Sequence, residues 1–100
     1  MTDREIIDLV KTDDLANKVM NDVKEQFPEA KFYVLRKNTP CYNGKIMLLC
    51  DFPEASYDNL LPIAEKSMPG YNLQGADLGH FHVTILPSVP FNPNHMLVVE

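Results

Sequence analysis

The sequence predicts an α+β fold: a two-layer sandwich whose three- to four-stranded, mainly antiparallel sheet carries helices on one face, in the order α(α)ββαβ(β). Three observations lead there. From Leu15 to Phe27 the apolar residues recur at helical spacing. Two apolar runs, 31–36 and 45–52, are joined by a segment dense in turn residues. From Gly79 to Ser88 apolar and polar side chains alternate, as they do along a half-buried strand. One hundred residues without repeats or a linker make one domain, 1–100.

Thr2-x-x-Glu5 ahead of Ile6, Ile7, Leu9 and Val10 reads as a capping box that opens a short helix. Asp13 then falls on the face of Ile6 and Leu9, so the helix breaks there and Asp13 caps a second one. In that second helix Ala16, Val19, Met20, Val23 and Phe27 form the apolar stripe, and Pro28 ends it. Lys31 to Arg36 has Phe32 and Val34 on one side and Tyr33 and Leu35 on the other, the pattern of a strand covered on both faces. Asn43-Gly44 supplies the turn of a long hairpin. Its return strand puts Ile46, Leu48, Cys50 and Phe52 on one face.

Leu60, Leu61, Ile63, Ala64 and Met68 mark the third helix. Proline costs little in a first helical turn, so Pro62 places the cap near Asp58 or Asn59; Pro69-Gly70 ends the helix. In the strand from Gly79, the residues Phe81, Val83 and Ile85 point to the core, and His80, His82 and Thr84 point away. The prolines at 87, 90 and 93 exclude helix and central strand, and His95 to Glu100 reads as a terminal edge strand.

A formal net charge of −5 with scattered cations argues against a nucleic-acid groove. Only Lys31, Arg36, Lys37 and Lys45 could converge, around the hairpin. The acidic balance suits solubility and a basic protein partner. No apolar run approaches the roughly 20 residues of a membrane span. Met1 leads into the polar Asp3-Arg4-Glu5, which is not a secretory signal. The expected location is the cytoplasm, with Cys41 and Cys50 as free thiols, Cys50 in the core.

The polar face of the Gly79–Ser88 strand is the candidate site. His80 and His82 stand about 6–7 Å apart along one strand face, a spacing that chelates a metal when Asp77, His95 or Asp51 supplies a third ligand. The competing explanation is a solvated sheet face. His82-Val83-Thr84-Ile85 also resembles the H-Φ-T-Φ tetrapeptide of the 2H phosphoesterases. That family carries two copies on pseudo-symmetric halves of a longer chain. One copy is present here, and His95-Met96-Leu97 lacks the Thr. Cys41 lies near Arg36, Lys37 and Lys45, but no spacing places a base beside it. No cofactor is expected, since Gly44, Gly70, Gly75 and Gly79 never cluster before a helix.

The expected function is therefore that of a small acidic interaction module. It would bind a protein partner or its own copy through the sheet face left bare by the helices, using His80, His82, Thr84, Tyr33 and Tyr42. The alternative is a small metal-binding or histidine-dependent, phosphoesterase-like enzyme built on His80 and His82.

Overall fold

The first helix, α1 (Asp3–Thr12), begins at the capping box. The Thr2 hydroxyl accepts the Glu5 N–H at 3.2 Å, and the Glu5 carboxylate accepts the Thr2 N–H at 3.1 Å. The bond from the Thr2 backbone holds the Glu5 carboxyl below its usual value. Asp13 leaves the helix with extended backbone angles and caps the second helix, α2 (Asp14–Gln26). Its Oδ1 accepts the Ala16 N–H at 2.9 Å. The Asn17 amide closes the junction by donating to the Lys11 and Asp13 carbonyls. Ile6, Val10, Ala16, Val19, Met20 and Val23 are buried, the stripe the spacing predicts. The structure is a computed structural model and describes residues 2–39, 44–70, 82–88 and 90–99.

The third helix, α3 (Tyr57–Ser67), is capped by Ser56, whose hydroxyl accepts the Asn59 N–H at 3.2 Å. This corrects the cap expected at Asp58 or Asn59. The Asn59 side chain is engaged instead with the Glu54 carbonyl, at 2.5 Å. Starting at Tyr57 lets Leu60, Ile63, Ala64 and Ser67 face inward at i, i+3, i+4 and i+7. Pro62 then lies inside the helix, where it offers no N–H to the Asp58 carbonyl. Both residues are exposed, so water can serve that carbonyl. The buried Ser67 hydroxyl donates to Asp22 Oδ2 at 2.5 Å and ties α3 to α2.

Four strands form one sheet: β1 (Lys31–Leu35), β2 (Ile46–Asp51), β3 (Val83–Pro87) and β4 (Met96–Val98), in the order β3-β2-β1-β4. β1 pairs antiparallel with β2 and with β4. β2 and β3 are parallel. The sheet is therefore mixed, because α3 carries the chain back to the starting end of β2 before β3 begins. Gly44, at φ +84°, takes the positive backbone angle expected at the hairpin turn. β3 starts at Val83; residues 79–81 of the expected strand, Phe81 included, lie outside the described residues. Pro87 belongs to β3, which an edge strand tolerates.

The helices cover one face. Phe32, Val34, Ile46, Leu48, Cys50, Val83 and Ile85 meet them in the main core. Phe27 stacks on Phe52 at 4.3 Å and joins the end of α2 to the end of β2. The opposite face is not bare. Tyr33, Leu35, Leu49 and Met96 are each no more than 8% exposed and form a second, smaller cluster with Met47 and Leu86. Phe91 lies against Tyr33 at 4.8 Å.

Leu48 is fully buried in the main core. Leu48→Ala should cost about 2–5 kcal/mol in a urea titration, while Val98→Ala, at an exposed edge site, should stay within about 0.5 kcal/mol. Pro62→Ala restores the missing helical donor and should raise stability by about 1–3 kcal/mol in the same titration.

Candidate functional site

The alternation of β3 places Thr84 on the face away from the helices, half-buried beside Met47. His82 does not continue that row. It precedes the strand, its carbonyl accepts the Ile46 N–H, and its imidazole turns to Asp13 in the helix layer. His82 Nε2 lies 2.5 Å from Asp13 Oδ2, with the His82 side chain 59% exposed and that of Asp13 14%. One carboxylate thus caps α2 through Oδ1 and holds the entry to β3 through Oδ2. Tyr33 is buried in the second cluster. His80 and Tyr42 lie outside the described residues, as do Cys41 and Asp77.

The sheet order decides which third ligands can approach His82. Asp51 sits at the far end of β2 from Ile46, opposite Lys31. His95 borders β4, three strand spacings from β3, or about 14 Å. Neither meets the His82 ring. Among the described residues no three His, Cys, Asp or Glu side chains come together as a metal site would require. Two of the four hairpin cations are drawn off to other places. Arg36 is engaged with Asp3 and with the Pro93 carbonyl, and Lys31 stands at the other end of β1. Cys50 is a buried core thiol, and burial pushes its pKa up to about 12, which makes it a poor nucleophile.

A concave site appears elsewhere, on the second face. A groove of about 310 Å³ is lined by Leu35, Met47, Leu49, Leu86 and Met96, with Thr39, Pro87, Ser88 and His95 around them. Thr84, Met47, Leu35 and Met96 form one cross-strand row on this face; Leu86, Leu49, Tyr33 and Val98 form the next. Phe91 and Val98 remain 40% and 53% exposed beside Tyr33. The Thr39 hydroxyl donates to the His95 carbonyl at 3.2 Å. The Ser88 N–H donates to the Cys50 carbonyl at 3.1 Å, but the buried Ser88 hydroxyl has no hydrogen-bond partner. Such a group costs about 1–3 kcal/mol of lost hydration.

Sequence reasoning placed Tyr33 and Thr84 on this face and missed the groove. The signal was the apolar identity of Leu35, Met47 and Leu49, which a strand covered on one face does not need. Compared with protein-family models, curated proteins and solved structures, the chain has no match.

Asp13→Ala removes a helix cap and the His82 partner together and should cost about 0.5–2 kcal/mol in chemical denaturation. Asp13→Asn keeps the cap and should recover most of that. His82→Ala loses only an exposed pair, about 0–1 kcal/mol. The Cys50 thiol stays neutral in the folded chain while the unfolded chain ionises it from its ordinary value of 9.0. Its contribution is complete below pH 9 and declines as pH rises toward about 12, so Cys50→Ala should flatten the alkaline limb of the stability profile.

Proposed function

We propose that this domain is a non-catalytic interaction module that takes a protein partner at the sheet face turned away from the helices. The observation that carries the reading is the apolar groove among Leu35, Met47, Leu49, Leu86 and Met96, bordered by side chains with a polar end. Buried apolar anchors within a polar rim are the usual anatomy of a contact surface. The exposed rings and methyls of Phe91 and Val98 extend the apolar surface toward β4.

Area favours a short docked segment over a second copy laid sheet on sheet. Four strands of about five residues make a face of roughly 19 by 17 Å, about 320 Å². A stable interface needs about 800 Å² from each partner.

The alternative, a metal-binding or histidine-dependent, phosphoesterase-like enzyme on His80 and His82, draws on the exposed imidazole that Asp13 orients. Zn²⁺ titration of the wild type and of a His80→Ala/His82→Ala double variant tests it; equal, weak binding by both removes it.

For the interaction reading, a photo-reactive benzoylphenylalanine placed at position 86 should give a discrete adduct with a second protein in cells. The same residue at position 18, exposed on α2, should give none, and excess unlabelled wild-type chain should compete the adduct away. Equal adducts at both positions, or none at either, overturn the proposal. An adduct consisting of two copies of the chain, matched by a concentration-dependent dimer in light scattering, would overturn the choice of a foreign partner.

A further inference from the structure

The segment from Phe91 to Val99 carries much of its bonding within itself. The Asn92 carbonyl accepts the His95 and Met96 N–H groups, at 3.0 and 2.9 Å. The Asn92 side chain accepts the Asn94 N–H at 3.0 Å, and the Asn92 N–H lies 3.4 Å from Met96 Sδ. The turn ahead of β4 is thus a closed knuckle, and these bonds survive if it leaves the sheet. Its hold on the rest of the chain runs through β1. The Val99 N–H donates to the Phe32 carbonyl and the Arg36 N–H to the His95 carbonyl, both at 2.9 Å. Between them β4 pairs with Tyr33, Val34 and Leu35 only. Met96 and Val99 are each 6% exposed and anchor it, while Val98 between them is 53% exposed. A short outer strand of this kind opens at less cost than the whole domain.

Arg36 grips the knuckle a second time. Its Nε donates to the Pro93 carbonyl at 3.1 Å, and its Nη1 meets the Asp3 carboxylate in the first turn of α1. One side chain therefore joins the end of β1, the knuckle and the helix layer. Both partners of the ion pair face water, at 32% and 57% exposed, so the grip is one that can let go. We propose that residues 91–99 leave β1 and return as one unit while the rest of the domain stays folded, and that Arg36 is the latch that sets how often they do so. Release bares one edge of β1, the row of backbone groups between the Phe32 carbonyl and the Arg36 N–H. It also withdraws His95 and Met96 from the wall of the second-face groove.

Native-state hydrogen exchange of the whole chain, followed by NMR without denaturant, reads the release directly. The Arg36 and Val99 N–H groups both donate across the border between β1 and the segment. They should share one protection factor, about tenfold or more below that of the Ile46 N–H, which is bonded to the His82 carbonyl. Arg36→Met keeps the backbone donor and the apolar stem but removes the guanidinium. It should speed exchange at positions 36 and 99 about fivefold and leave Ile46 unchanged. Asp3→Asn, which spares the Pro93 bond, should speed the same two amides about twofold. Exchange at 36 and 99 as slow as at Ile46, or at two different rates, overturns the release as a unit. Equal acceleration at all three amides in Arg36→Met makes Arg36 a general stabiliser, and no acceleration makes it a bystander; either result overturns the latch. Should Arg36→Met fail to fold, Asp3→Asn decides the latch by the same comparison.

Discussion

The structure depends on a constraint imposed on β1: Phe32 to Leu35 must be buried on alternating faces while a strand pairs along each edge. Phe32 and Val34 pack beneath the helices, while Tyr33 and Leu35 enter a separate apolar cluster. β2 pairs with one edge and β4 with the other. Because side chains alternate along a strand, the same stretch of backbone belongs to two cores at once. A slip of one residue would exchange Phe32 and Val34 for Tyr33 and Leu35 and spoil both. The capping box, the Asp13 junction and the Asp22–Ser67 bond then set how the helix layer sits on the sheet that β1 centres.

Much of this was legible because it is written in local chemistry. Thr2 and Glu5, Asp13, and the stripe from Ala16 to Val23 needed no tertiary information to be read. The two-sided pattern of Lys31 to Arg36 announced a central strand. The parallel direction of β3 could be inferred from the helix between it and β2, although the reading favoured antiparallel pairs. The cap of α3 was misplaced because Pro62 was assumed to seek the first turn. The inward register of Leu60, Ile63, Ala64 and Ser67 outweighs one missing hydrogen bond at an exposed site. His82 was assigned by alternation, which holds only inside a strand. One position before β3 begins, its ring is free to turn to a carboxylate far away in sequence. The groove was illegible for a different reason, because it arises where β1, β2, β3 and β4 lie side by side.

The functional reading follows from what each face lacks. On the helix side, Asp13 and His82 meet at a surface whose geometry is explained by capping and docking. On the other side, the described residues lining a concavity carry no Lys, Arg, Asp or Glu, and the buried Ser88 hydroxyl has no hydrogen-bond partner. These two features are what the proposal of an interaction module draws on.

The position of β4 has a consequence for the chain as it is made. Synthesis delivers β1 early and β4 late, since Leu35 pairs with Met96. Until β4 arrives, one side of β1 presents its amide and carbonyl groups to whatever strand is nearest. The nascent chain therefore passes through an interval in which one edge of an interior strand is open to misassociation. That interval closes when β4 docks on β1.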